Sequence, residues 1–112
     1  MKKIVLFLIA TSLTNAFSQS HQWSTDAGST TLDGANEVKV DGSGNAISVG
    51  YFNGTVDFDP GPSTVNMSAG AANLNGFILK QSTTGTFVWV RGLLGTGACN
   101  IKSITTDVSS NV

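Results

Sequence analysis

The sequence predicts an all-β fold of antiparallel strands, and two features of the chain carry that prediction. Residues alternate along positions 46–52, where Ile47, Val49 and Tyr51 would share one face of a strand. Clusters of Gly, Asn and Asp separate this strand from its neighbours, most clearly at residues 41–45. Beyond the N-terminal region no uninterrupted 3.6-residue pattern of useful length occurs, so we expect no amphipathic helix there.

Residues 1–18 have the pattern of a secretory signal peptide. Two lysines precede a short apolar run at residues 4–10, and the small residues Ala16 and Ser18 suit cleavage, with cleavage after Ser18 favoured. The run is shorter than the roughly 20 residues that a membrane span requires. We therefore expect a secreted or cell-surface protein whose mature domain, residues 19–112, has no membrane span.

Charge and cysteine content narrow the function classes. Residues 19–112 keep seven acidic and four basic residues, a formal net charge of −3, and no basic cluster that would suit nucleic acid. Cys99 is the single cysteine, so no internal disulfide can form. His21 is the single histidine, which leaves no credible Ser-His-Asp set. We expect a protein without catalytic residues.

The other strands are predicted from short apolar runs between turn signals. Expected strands lie at residues 21–24, 35–40, 55–58, 77–80, 87–90 and 101–107, with a ragged strand within 63–73 anchored by Val65 and Met67. Expected turns lie at residues 41–45, 75–76 and 83–85, and at Asn53-Gly54, which is a strong hairpin signal.

The chain resembles itself after a shift of 66 positions. The pairs brought together are Trp23 with Trp89, Thr30 with Thr96, Val38 with Ile104, Asp41 with Asp107, Ser43 with Ser109 and Asn45 with Asn111. Self-similarity at a fixed period in an all-β sequence indicates propeller blades or a solenoid. The alternative is two similar hairpins that arose by chance.

Four blocks of sequence also resemble a known repeat. They are Asp41-x-x-Gly44-Asn45-Ala46-x-x-Val49-Gly50-Tyr51-Phe52, Gly54-Thr55-Val56-Asp57-Phe58-Asp59-Pro60-Gly61, Gly76-Phe77-Ile78-Leu79-Lys80 and Gly85-x-Phe87-x-Trp89. In this order they look like the bacterial β-propeller repeat called SBBP, over residues 23–112. The resemblance implies four-stranded antiparallel blades in large exported or surface proteins, and it brings no catalytic residues.

The resemblance covers about one and a half repeats. Repeat 1 would span about residues 23–88 and a partial repeat 2 about residues 89–112, with Ser110 where the first copy has Gly44. Because a propeller typically needs four to eight blades, we expect an N-terminal fragment of a longer protein or a truncated gene product. The expected partners are the remaining blades of that protein.

Asp57 and Asp59 are the candidate metal ligands. Two residues apart on a strand, their carboxylates would point to the same side and could hold a calcium ion together with nearby carbonyls. The alternative, which we favour, is that both carboxylates bond backbone N–H groups of the Pro-Gly loop that follows. Adjacent carboxylates on one strand fit a glycosidase pair poorly, because such pairs face each other across a cleft.

The predicted function is that of a non-catalytic repeat or scaffold module that mediates protein or surface interactions. The alternative is a carbohydrate- or calcium-binding propeller module, in which the aromatic residues Trp23, Tyr51, Phe58 and Trp89 stack on sugars. In a small β protein, aromatic residues on strands more often belong to the core. Any contact with a protein or glycan would fall chiefly on the loop of residues 59–73.

Overall fold

The computed structural model describes residues 23–24, 27–70 and 73–112. The predicted signal peptide, residues 1–18, and His21 and Gln22 lie outside them. The described residues form six strands: β1 Gly34–Val40, β2 Ala46–Phe52, β3 Thr55–Asp57, β4 Asn66–Ser68, β5 Asn75–Gln81 and β6 Phe87–Leu93. No helix occurs among them, so the all-β prediction is confirmed for the described part of the chain. Within this part, no helix has the length and apolar character that a membrane span requires.

Two sheets make up the fold. The larger has four strands in the order β1-β2-β5-β6, and the smaller is the pair β3-β4. Every pairing is antiparallel, as the sequence predicts. The chain thus runs up and down through four neighbouring strands, and the small hairpin is inserted between the second and the third.

The period of two along β2 defines the faces of the large sheet. Ser48, Gly50 and Phe52 lie on the side against which the β3-β4 hairpin packs, here called the hairpin face. Ile47, Val49 and Tyr51 lie on the other side, which residues 99–112 cross, here called the segment face. Residues that are directly paired share a face, so the register also places the side chains of the neighbouring strands.

The β3-β4 hairpin helps to form the core on the hairpin face. The buried cluster consists of Phe52, Val56, Phe58, Ala69, Phe77 and Leu79, with Met67, Phe87 and Val90 packed against it. The ring of Phe52 meets that of Phe58 edge to face, with centroids 5.5 Å apart. At Gly92 the space for a side chain is already filled by the Met67 sulfur. Met67 therefore acts as the anchor that the sequence predicts for this ragged stretch.

Residues 99–112 lie across the segment face, and the strand predicted at 101–107 is wrong. Ile101 packs against Gly76 of β5, and the Ile104 N–H donates to the Glu37 carboxylate of β1 at 2.7 Å. This stretch crosses a face of the sheet rather than lying beside an edge strand. It therefore has no adjacent strand with which to form a ladder of backbone hydrogen bonds. Ile47 and Val49 on this face have no exposed area.

Two predicted turns also differ from the structure. Asn53-Gly54 does not close a hairpin, because both edges of β2 are occupied by β1 and β5, and β3 pairs with β4 instead. Gly54 still has the positive φ of a turn, 72°. Asn75 and Gly76 open β5 rather than a turn, and Asn75 is buried.

Gly50 marks the closest approach of backbone within the large sheet. A Cβ at this position would overlap the Gly34 carbonyl oxygen and lie 2.9 Å from the Ala35 Cα, next to the bulge between Ala35 and Glu37. Both obstacles are backbone, so they cannot rotate away.

We therefore predict that Gly50→Ala lowers the free energy of unfolding by about 2 to 3 kcal/mol. Urea unfolding followed by tryptophan fluorescence measures the change. The matched control is Gly97→Ala, where nothing lies within 4 Å of the added Cβ. The control should stay within about 0.5 kcal/mol of the natural chain. Equal effects of the two substitutions would contradict this packing.

Candidate functional site

The site begins at residues 41–45, the turn between β1 and β2. The Asp41 Oδ1 atom accepts the N–H groups of Ser43 and Asn45, each at 2.9 Å, and Asp41 Oδ2 accepts the Asn45 side-chain amide at 2.9 Å. Gly44 has a φ of 84°, a conformation that suits glycine. The carboxylate thus accepts two backbone N–H groups of the turn, as expected for Asp at its start, and the Gly44 N–H donates to the Asp41 backbone carbonyl at 3.0 Å.

Lys80 brings the third strand of the sheet to this turn. Its Nζ lies 2.7 Å from Asp41 Oδ2, and the two side chains are 14% and 0% exposed. The hydrogen bond from the Lys80 ammonium, followed by that from the Asn45 amide, holds the pKa of Asp41 well below its usual range. Because Lys80 lies on β5, the ion pair joins the β1-β2 turn to a strand that is not next to β1.

Residues 107–111 repeat the same turn. The Asp107 Oδ1 atom accepts the N–H groups of Ser109 and Asn111 at 2.8 and 2.9 Å, and Oδ2 accepts the Asn111 amide at 2.8 Å. Ser110 takes the place of Gly44 and keeps its positive φ, at 63°. These hydrogen bonds lower the pKa of Asp107, with the Asn111 side chain as the main cause.

A third turn of this shape lies between β5 and β6, where the sequence predicts a turn at residues 83–85 but not its likeness to the turn at residues 41–45. Here the Ser82 hydroxyl takes the place of the carboxylate, accepting the N–H groups of Thr84 and Thr86 at 3.3 and 3.2 Å. Gly85 supplies the positive φ, 80°. The signal in the sequence was a short polar residue followed three positions later by glycine.

Trp23 lies on this third turn. Its indole N–H donates to the Thr83 carbonyl at 3.0 Å, and its ring covers Gly85, where a Cβ would lie 2.8 Å from the ring. Trp23 and Ser24, which the sequence predicts to end a strand, are not in a strand.

The first and second turns contact each other. A Cβ on Gly42 would lie 3.1 Å from the Val108 carbonyl oxygen and 3.6 Å from the Ser110 hydroxyl. Together with the contacts of Ile101 and Ile104, this places the whole of residues 99–112 along the large sheet. The Ile104 N–H, followed by Lys39 at 3.0 Å, lowers the pKa of Glu37.

Asp57 and Asp59, the candidate calcium ligands, lie at the end of β3 and in the loop that follows. Asp57 Oδ1 accepts the N–H groups of Asp59 and Val65 at 3.0 and 2.9 Å, and Asp59 Oδ1 accepts that of Gly61 at 2.8 Å. In the described part of the chain no three His, Cys, Asp or Glu residues are grouped so that they could hold a metal ion. The calcium site stays a prediction.

The four aromatic candidates for sugar stacking lie apart. Phe58 is 2% exposed inside the core, whereas Trp23 is half-buried on the third turn. Tyr51 and Trp89 are half-buried and belong to the segment face through their pairing with Gly76 and Lys80. Among the described residues no ring contact joins two of these four side chains.

Two concave surfaces adjoin the hairpin. A cavity of about 290 Å³ is lined by apolar residues that include Phe52, Val56 and Phe77 and by the polar residues Asp33, Ser48 and Gln81. A more open depression of about 690 Å³ lies between residues 27–30 and the polar side chains Asp33, Thr55, Asp57 and Asn66. Asp33 borders both surfaces, and its carboxylate accepts the Ser29 N–H at 3.0 Å.

No family model, no curated protein and no solved structure matches the chain. The resemblance to the SBBP repeat therefore rests on the sequence blocks alone and stays a prediction. The geometry that bears on function is internal to the chain: two carboxylate turns 66 residues apart, in contact with each other.

We predict that Asp41→Asn lowers the melting temperature by about 5 °C or more. The substitution leaves the Lys80 ammonium beside a neutral amide, and the new NH₂ group competes with the N–H groups of Ser43 and Asn45. Asp107→Asn is the matched control, because its turn is exposed and the described residues place no lysine beside it. The control should change the melting temperature by about 2 °C or less, and a larger effect at Asp107 than at Asp41 would contradict this assignment.

The same carboxylate predicts a pH dependence. Because folding lowers the pKa of Asp41 from an unfolded value near 3.9, its stabilising effect is complete above about pH 5 and is lost as pH falls toward the folded pKa. The difference in melting temperature between the natural chain and Asp41→Asn should therefore shrink between about pH 5 and pH 2. Thermal melts by circular dichroism measure it, and a difference that does not vary with pH would count against the ion pair.

Proposed function

We propose that the chain is a non-catalytic repeat module of an exported bacterial protein, which serves as a scaffold and mediates protein or surface interactions. The observation that carries the proposal is the second carboxylate turn. Residues 107–111 have the hydrogen bonds of residues 41–45, follow them by 66 positions and lie against them. A repeat protein packs each unit against the next in this way.

The four-stranded sheet is the proposed unit, of the propeller type. It has the up-and-down order β1-β2-β5-β6, with the β3-β4 hairpin on one face. Residues 100–106 correspond, at the 66-residue period, to β1 Gly34–Val40, and they cover the other face. The resemblance of the four sequence blocks to the SBBP repeat supports the same interpretation. The partners of this module would be further units of the repeat.

The acidic residues support a structural rather than a chemical role. Asp41, Asp57, Asp59 and Asp107 each accept backbone N–H groups of their own turns or loops. Asp57 and Asp59 accept these bonds through Oδ1, and Asp41 is also paired with Lys80. Among the described residues no buried polar side-chain atom lacks a hydrogen-bond partner.

A register-matched extension tests the proposal. Val112 corresponds to Ala46, so appending a copy of residues 47–112 after Val112 adds one complete period. The added strands would complete a second sheet on residues 100–112. Because each interface between neighbouring units adds stability in a repeat protein, we expect a single cooperative transition at a higher melting temperature, by about 5 °C or more.

The control carries the same extension started three residues later, at Gly50, so that the period is broken. It should unfold at the temperature of the natural chain or aggregate. Two separate transitions in the register-matched chain, or equal behaviour of both extensions, would overturn the proposal.

A further inference from the structure

Strand β1 exposes two large apolar side chains. Val38 and Val40 are 59% and 65% exposed. Their pairing with Ser48 and Ala46 places them on the hairpin face, beyond the part that the β3-β4 hairpin covers. Charged neighbours, Glu37 and Lys39, lie on the opposite face of the same strand. The valines thus form an apolar strip at an open edge, here called the β1 strip.

The counterparts of these valines are covered. At the 66-residue period Val38 corresponds to Ile104 and Val40 to Thr106, and both are half-buried where residues 99–112 cross the segment face. The Ile104 N–H donates to Glu37, and Ile101 fills the space above Gly76. One copy of the stretch is therefore docked on a sheet while the other copy is open.

We infer that the β1 strip docks on the segment face of a second copy of this chain, in the place that residues 101–106 occupy within one molecule. This inference rests on the proposed repeat function and names its partner. The surface that receives the strip has Ile47, Val49 and Gly76 at its centre and the Glu37 carboxylate at its edge. The contact joins two different surfaces, so it is head-to-tail.

Backbone direction supports this docking. The Asp41 N–H donates to the Asn45 carbonyl. In an antiparallel pair every second residue directs its backbone N–H and C=O to the partner strand, so residues 39 and 41 direct theirs toward β2. The N–H of Val38 then points to the edge of β1 with which no other described strand pairs. It can donate to Glu37 of the second copy as the Ile104 N–H does within one molecule.

Residues 101–106 and the β1 strip of a second copy would compete for the same segment face. This competition determines the protein concentration at which the chain begins to associate. Residues 101–106 are attached to the sheet that they cover, which gives them an effective concentration of roughly millimolar order. They form no strand, and the Ile101 N–H meets the Gly50 carbonyl only at 3.4 Å. β1 is already ordered by its pairing with β2, so it loses less freedom on docking. Exchange should therefore become measurable at high protein concentration.

Sedimentation velocity of the chain from about 10 µM to about 1 mM tests the inference. We expect the average mass to rise with concentration. Ile104→Ser, which loosens the covering stretch, should shift association to concentrations at least about tenfold lower. Val38→Lys with Val40→Lys should keep the chain monomeric throughout, also in the Ile104→Ser background, because lysines at an open edge prevent docking.

The matched control is Val88→Lys with Leu94→Lys, which removes two other exposed apolar side chains, 45% and 56% exposed, and should leave association unchanged. A natural chain that stays monomeric at the highest concentration, or association that the β1-strip variant leaves intact, overturns the inference. Should Ile104→Ser fail to fold by circular dichroism, the comparison of the two double-lysine variants decides. The two proposals can fail separately. If the register-matched extension raises the melting temperature but the natural chain does not self-associate, this inference is overturned and the proposed function is supported.

Discussion

Both faces of the four-stranded sheet are apolar at their centre, and each must be covered for the sheet to persist in water. The hairpin β3-β4 covers one face through Val56 and its neighbours in the core. Residues 99–112 cover the other, where Ile47 and Val49 have no exposed area. The sheet is therefore one layer of three, and its second cover corresponds to its own first strand one period later. This arrangement is what connects the fold to the proposed repeat function.

Hydrogen bonds within the turns fix the backbone conformation where the strands are joined. One short acceptor side chain, from Asp41, Ser82 or Asp107, satisfies two backbone N–H groups in each turn, and a residue with positive φ follows three positions later. The three turns differ in their surroundings. Asp41 alone of these three is paired with Lys80, with both side chains largely buried, so replacing Asp41 would leave the Lys80 ammonium without its partner. The exposed copy at Asp107 keeps the shape of the turn without that ion pair.

Much of the sheet could be predicted from local patterns. The alternation along β2, the apolar run of β5 and the Asp and Gly of residues 41–45 each specify structure over a few residues, and each was confirmed. Strand partners are not local. Asn53-Gly54 has the composition of a hairpin, but β2 had both edges filled, so the chain turned away and paired β3 with β4.

Contacts between distant parts of the chain also explain why the sequence predicted a strand at residues 101–107 and did not predict the ion pair of the candidate site. The apolar residues Ile101 and Ile104 correctly indicate a buried side, but they do not tell whether a stretch lies beside a sheet or across its face. The contact of Lys80 with Asp41 joins positions 39 apart and has no signature in either turn or strand. Asp57 and Asp59 could be assigned to their loop from the sequence, whereas their partners Val65 and Gly61 required the structure.

The fold requires that residues 99–112 cover the segment face of the large sheet. Nuclear Overhauser effects in the chain at low concentration, with methyl groups labelled, test this contact. We expect contacts between the Ile101 methyl groups and Gly76, and between the Ile104 amide proton and the Glu37 side chain. A well-folded sheet in which residues 99–112 show sharp random-coil signals and none of these contacts would contradict the claim.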